Sequence, residues 1–311
     1  MSKAVLQPVA AHLGKKRLLI VGGGRLQQIP FAALPDKNGD PLILNHEIVS
    51  IPSAAAVVAM QRDRAARKPP SHLLALLTDP VFESQDSRLG RSTQRPRPLD
   101  PELVQAMRAF IPDSPRQGIP RLAFAGREAQ GILALAPPQE TLSLLDFDAT
   151  RDAFLDGRLD DYRVVHVGSH GFVNHDDPDI SGLVLSLVDR QGRPREGFLR
   201  LRDVYQIKLQ ADLVVLSACQ TALGKVFSGE PLIGLTSGFL RSGAAGVIST
   251  TWKVDDEATA DLMQEFYRGM WGPERLSPSA ALRAAQLSLA RKDQWRSPYF
   301  WAGVVLHGQW K

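Results

Sequence analysis

Two residues of this chain pair complementary chemistry. Cys219 is the single cysteine among 311 residues, and His170 stands 49 positions before it. A free thiol, with a pKa near ~8.5, is mostly protonated at neutral pH. An imidazole beside it raises the thiolate fraction, and the same imidazole can then protonate the leaving amine of a cleaved amide. Both residues sit among small neighbours, in Gly168-Ser169-His170-Gly171 and Ser217-Ala218-Cys219-Gln220. Gly171 has no Cβ, so a substrate carbonyl can approach its N–H. With the Cys219 N–H it would form a two-donor oxyanion hole. A lone cysteine is commonly just a small buried hydrophobe. The shared context sets this one apart.

That context is a pair of apolar, β-branched runs. Val164-Val165-His166-Val167 and Leu213-Val214-Val215-Leu216 read as buried strands that end at the reactive residues. In open α/β sheets function gathers at the carboxyl ends of strands, so neighbouring strands would bring His170 and Cys219 to one edge. His166 lies four residues before His170, on the same strand face but deeper inside, and reads as a core histidine. His166, His170, His175 and Asp176 invite a metal reading, but a strand does not converge residues at intervals of four. No metal is expected.

The remaining chain supplies the scaffold. Further strands are predicted at 17–22, 47–52, 72–80, 181–188, 244–252 and 298–308. Helices are predicted at 53–67, near 100–110, and at 126–136, 149–157, 229–243, 254–271 and 277–292. The alternation implies an α/β fold with a mostly parallel sheet flanked by helices on both faces. A polar, Pro- and Arg-containing stretch near 83–100 reads as a long loop. The chain accordingly divides into an N-terminal α/β part, 1–120, and a part carrying the chemistry, 121–311.

Composition narrows the class. With one cysteine there is no internal disulfide and no thiol-based zinc site, which favours a reducing, cytoplasmic setting. The net charge of +4 comes from scattered arginines without interleaved aromatics, so no nucleic-acid partner is expected. No apolar run reaches the roughly 18–20 residues of a membrane helix. The opening stretch has its basic residues after its apolar ones, the reverse of a signal peptide. Gly22-Gly23-Gly24 follows a strand, but Gln27 stands where a dinucleotide fingerprint needs a third glycine. The residues around Ser169 do not fit the G-x-S-x-G elbow of serine hydrolases. No cofactor is expected.

Several segments resemble the CHAT domain, a family grouped with caspases, separases and gingipain-like peptidases. They are SHG (169–171), SACQT (217–221) and GEPLIGLTSGFLRSGAAGVISTTWKVDD (229–256). In the front half they are RLLIVGGGRLQQIPFAAL (17–34), EIVSIPSAAAV (47–57) and TDPVF (78–82), and at the end SPYFWAGVVLHG (297–308). The 49-residue interval also suits the caspase-type spacing of roughly 50. The resemblance implies a caspase-like sheet with a pseudo-caspase-like N-terminal part. It implies a cysteine endopeptidase acting through a thioester acyl-enzyme, with His170 and Cys219 on the dyad. Gln220 replaces a glutamate of many relatives, and an aromatic or histidine often stands near Gln27. Neither position belongs to the dyad.

Trp252-Lys253-Val254-Asp255-Asp256 is similar to a separase segment, Trp-x-Val-x-Asp, whose last acid pairs with a P1 arginine. This implies Asp256 in the S1 pocket and cleavage after Arg. The competing reading is that the two acids only cap the helix that follows, although one acid suffices for that. Arg88, Arg91, Arg95 and Arg97 would then be candidate self-cleavage points. Many CHAT domains follow tetratricopeptide repeats, and none is visible here. The partners implied are a protein substrate and a regulatory repeat region, on a longer polypeptide or another protein. The alternative function is a catalytically silent CHAT-like scaffold.

Overall fold

Short runs of Val, Leu and Ile, too brief for helices and bounded by Gly, Pro and Asp, become the strands that position the site. The computed structural model describes residues 2–22, 26, 29–89, 99–110, 118–172, 178–217 and 231–310. Its strands are β1 (Leu18–Ile20), β2 (Ile48–Ser50), β3 (His72–Thr78), β4 (Thr141–Leu145), β5 (Tyr162–Gly168), β6 (Gly171–Phe172), β7 (Gly182–Val184), β8 (Phe198–Arg200), β9 (Leu213–Ser217), β10 (Gly246–Thr250) and β11 (Val304–Gly308). Its helices are α1 (Ser2–Val5), α2 (Ala10–Leu13), α3 (Ala54–Ala66), α4 (Pro101–Phe110), α5 (Ala125–Leu133), α6 (Asp152–Leu155), α7 (Leu201–Val204), α8 (Pro231–Arg241), α9 (Asp256–Trp271) and α10 (Pro278–Ala290).

Eight strands form one sheet in the order β1-β2-β11-β10-β9-β5-β3-β4. Every pair is parallel except β10 with β11. Strands from both sides of residue 120 share this sheet, since β3 lies between β4 and β5. Side-chain alternation feeds two cores. Ala75 and Leu77 of β3 and Val165 and Val167 of β5 pack on one face with Phe154, Phe198 and Phe239. Leu74, Leu76 and Val164 pack on the other with Ile132 of α5, Phe266 of α9 and Leu282 of α10. Covered on both faces, these strands carry continuous apolar runs.

The helices start where capping residues allow. The Ser53 hydroxyl accepts the Ala56 N–H at 3.0 Å, and the Asp255 carboxylate accepts the Ala258 N–H at 2.9 Å. α9 buries Ala258, Leu262, Met263, Phe266 and Tyr267 at helical spacing, which fixes its inner face.

The mostly parallel α/β sheet matches the sequence expectation, but details differ. The run at 181–188 yields only β7, which joins β6 and β8 in a separate antiparallel sheet. The helix expected at 149–157 contracts to α6. β4 and β8 carry no sequence signal strong enough to announce them. β4 is a short edge strand with mixed burial, and β8 has three residues. Among the described residues, no helix is long and apolar enough to cross a membrane.

Candidate active site

β5 ends at Gly168, which pairs with Ser217, the last residue of β9. On its other side Gly168 pairs with Thr78, and a Cβ at residue 168 would collide with the Thr78 side chain. Glycine therefore lets three strand ends close up here. His170 lies two residues beyond Gly168, and Cys219 lies two residues beyond Ser217 in the chain. Cys219 and Gln220 are outside the described residues. β5 and β9 are neighbours, the condition for the two strand ends to converge.

The His170 side chain is fully buried. Its ring lies between Phe82, 5.3 Å away by centroid, and Phe172, at 6.3 Å and nearly parallel. Nε2 is 2.7 Å from the Pro120 carbonyl oxygen, which can only accept, so Nε2 carries the proton. Nδ1 is buried and has no partner among the described residues. It is the ring atom left to take up a proton. Burial lowers the His170 pKa below the usual histidine value. The Pro120 hydrogen bond works against that shift, and the Lys253 charge adds to it. The ring is therefore neutral at neutral pH, as a proton acceptor must be.

Three residues that sequence reasoning did not find hold this imidazole in place. Asp79, just past β3, adopts φ 55° and its N–H donates to the Gly168 carbonyl at 3.3 Å. Its buried carboxylate clamps the Arg121 guanidinium in a two-pronged ion pair, with Nε donating at 2.8 Å. Arg121 follows Pro120, so the clamp fixes the carbonyl that orients His170. Arg88 joins the same cluster, donating to the Asp79 carbonyl at 2.8 Å and pairing with Asp86 and Asp146. Arg88, a candidate cleavage point by sequence, is thus tied into an ion-pair cluster. Arg91, Arg95 and Arg97 lie outside the described residues. Nothing in the spacing of Asp79, Pro120 and Arg121 signals their convergence, since 41 residues separate the first two.

Gly171 opens β6 opposite Leu183. The Val184 N–H donates to the His170 carbonyl at 2.8 Å, so the neighbouring Gly171–Leu183 pair is of the non-hydrogen-bonded kind. The Gly171 N–H is accordingly turned away from β7.

His166 is a core residue, as the sequence suggested. Its Nδ1 is 3.0 Å from the Tyr267 hydroxyl, and Nε2 lies 3.3 Å from the Glu128 carboxylate, outside good hydrogen-bond geometry. Glu128, also buried, accepts the Ser217 hydroxyl at 2.5 Å. Helices α5 and α9 and strands β5 and β9 thus meet in one polar cluster beneath the strand ends. Glu128 too was missed from sequence. Within a predicted amphipathic helix it reads as an ordinary surface acid.

Asp255 caps α9, which releases Asp256 from that duty. Asp256 Oδ2 accepts the Phe124 N–H at 2.9 Å. Burial raises its pKa, the Phe124 bond opposes the rise, and the charges of Glu128 and Asp255 add to it. No Arg or Lys forms an ion pair with Asp256 among the described residues. The nearby Arg127 engages Glu257 and Asp261 instead. No cluster of three potential metal ligands occurs among the described residues, and His175 and Asp176 lie outside them.

A mostly parallel sheet covered by helices on both faces, with a buried, oriented histidine just past a strand end, defines an α/β architecture. Residues 1–309 match the CHAT domain, so the chain belongs to the CHAT domain family. It is 33% identical over 114 residues to mouse tetratricopeptide repeat protein 28, covering 37% of this chain and 4% of that protein. It is 23% identical over 321 residues to the human protein of that name, covering 97% of this chain and 12% of the relative. The chain therefore spans only a small part of the length of these relatives. Among solved structures, separase from the Saccharomyces cerevisiae separase–securin complex aligns with TM-score 0.48 and 14% identity, over 90% of this chain and 15% of that one. The Arg-specific cysteine proteinase gingipain R aligns with TM-score 0.46 and 11% identity, over 85% of this chain and 54% of that one.

Proposed function

We propose that this chain is a cysteine endopeptidase in which His170 activates Cys219. The observation that carries the reading is the state of His170. It is buried and neutral, with Nε2–H committed to Pro120 and Nδ1 left without a partner among the described residues, at a strand end level with the one leading to Cys219. In the proposed reaction the thiol proton passes to Nδ1 and the sulfur attacks the scissile carbonyl carbon. The Gly171 and Cys219 N–H groups bind the resulting oxyanion. The C–N bond then breaks, Nδ1 returns its proton to the leaving amine, and a thioester remains. Water, deprotonated by the same nitrogen, attacks the thioester and releases the carboxylic acid and the thiol.

Asp256 is the residue we propose for P1 selection. It is a part-buried carboxylate with no ion pair among the described residues and a pKa raised by burial despite the charge of Arg127, and a substrate guanidinium would relieve that state. Cleavage after Arg, in preference to Lys, follows. The partners proposed are a protein substrate in a cytoplasmic setting and a tetratricopeptide-repeat region, which the names of the relatives support.

A fluorogenic panel with Arg, Lys, Asp or Leu at P1 tests this on wild type, Cys219→Ala and His170→Ala. Arg turnover in wild type alone supports the reading. Turnover surviving in Cys219→Ala refutes it. No turnover together with an unreactive thiol would leave the chain a binding module.

A further inference from the structure

Two adjoining hollows lie at the end of the sheet opposite His170. One, of about 660 Å³, includes Pro52, Ala56, Met60 and Ala245 in its lining. A second, of about 650 Å³, adjoins it and shares Arg67, Lys68, Arg241 and Gly243 with it. The starts of β9 and β10 and Arg163 of β5 close the base of the first. β5 is seven residues long, so its length alone separates this groove from the His170 edge by roughly 20 Å.

Ala56, Met60 and Ala245 line the first hollow together with Asp63, Arg64 and Arg163, while Arg67, Lys68 and Arg241 line both. Asp212 is satisfied within the wall, paired with Arg64 at 2.7 Å and Arg163 at 3.0 Å. Arg67 donates one N–H to the Gly243 carbonyl at 3.1 Å, and Arg241 lies over the Tyr205 ring at 5.2 Å. Neither they nor Lys68 pair with a carboxylate among the described residues. Gly243 adopts φ 115°, and a Cβ there would strike the Leu209 carbonyl, so the backbone at the junction can be this close only as glycine. One wall, α3, buries only Val57 of its thirteen residues, so the groove is edged by a lightly packed helix.

We propose that this groove binds a phosphate-bearing ligand of about mononucleotide size. Each hollow falls within the ~300–1,000 Å³ of small-ligand sites. Two guanidinium forks and an ammonium match phosphate oxygens, and the apolar side chains of Ala56, Met60 and Ala245 beside them can pack against a planar ring. The site is separate from the proposed peptidase centre and does not depend on its activity.

Calorimetric titration of the whole chain with ATP, with inorganic triphosphate and with a glutamate-rich peptide tests the inference. ATP should bind, more weakly at high salt, and triphosphate should bind at least tenfold more weakly because it leaves those apolar side chains uncovered. Arg67→Glu combined with Arg241→Glu should weaken ATP about 100-fold or more, at roughly tenfold per lost charge contact. Lys68→Glu, at a side chain exposed to water, should weaken it about tenfold with an unchanged melting curve, which keeps the test valid if the double variant misfolds. Absence of ATP binding at millimolar concentration overturns the proposal. So does ATP affinity unmoved by Lys68→Glu, triphosphate binding as tightly as ATP, or capture of the acidic peptide in place of ATP.

Discussion

Replacing Glu128 by alanine removes the acceptor that holds Ser217 at the end of β9 and the carboxyl group beside His166. A hydrogen bond to a charged group contributes about 1.5–3 kcal/mol, and each buried polar atom left unmatched costs about 1–3 kcal/mol. The missing side chain also leaves a cavity between α5 and the sheet. Taken together, Glu128→Ala should lower stability by about 4 kcal/mol. Glu128→Gln keeps an acceptor for Ser217 and should lose about 1–2 kcal/mol. Ser217→Ala strands one carboxylate oxygen at a cost of about 2 kcal/mol, and the Glu128→Ala/Ser217→Ala pair should be less than additive by about 1 kcal/mol or more. Urea unfolding followed by the fluorescence of the five tryptophans reads these values as midpoint shifts at constant slope. A loss below about 1 kcal/mol for Glu128→Ala, or strict additivity in the cycle, would show that the cluster does not bind β9 to α5.

Three further outcomes follow from the same geometry. Arg121→Ala frees the Pro120 carbonyl and should cut kcat about tenfold or more with KM little changed. Arg121 is half-exposed but its partner Asp79 is buried and would keep only Arg88, so stability should fall measurably as well, and an unchanged kcat would refute the positioning role. Asp256→Asn should reduce kcat/KM for Arg substrates roughly 30-fold relative to Leu substrates, from a loss of about 2 kcal/mol. Its helix content should persist because Asp255 caps α9, and retained Arg preference would defeat the S1 proposal. Burial pushes the His307 pKa down to about 4 in the folded chain, against an unfolded value near 6.5. Its neutral form is the folded one, so stability is complete above pH 6.5 and falls as pH drops towards 4, by up to about 3 kcal/mol. His307→Gln should flatten the acid limb of stability measured by urea unfolding between those limits. An identical limb in both proteins would refute the assignment.

Much of the architecture was legible because local physics suffices for it. β5 and β9 are β-branched, unbroken and bounded by polar turns, so their existence and their buried state follow from composition. α9 declares itself through an acidic first turn and apolar residues at helical spacing. His166 separates from His170 by depth, since it lies within the apolar run of β5 while His170 lies beyond the strand's end at Gly168. Less legible was the run at 181–188, whose hydrophobicity says that it is buried but not against which sheet. Its pairing with Phe172 and with Phe198–Arg200 is a matter of long-range geometry.

The sequence by itself determined the kind of chemistry available: one thiol, a histidine at the caspase-type interval, and a family motif spread along the chain. What only the tertiary structure decided is which atoms surround that histidine. Asp79 and the adjacent pair Pro120 and Arg121 come from separate segments, and they orient His170 because β3 and β5 lie side by side. Glu128 becomes a buried partner of Ser217 only when α5 docks over β9. Local pattern fixes how each segment folds. Hydrogen-bond partners and desolvation depend on which segments meet, and that is settled by packing across the sheet.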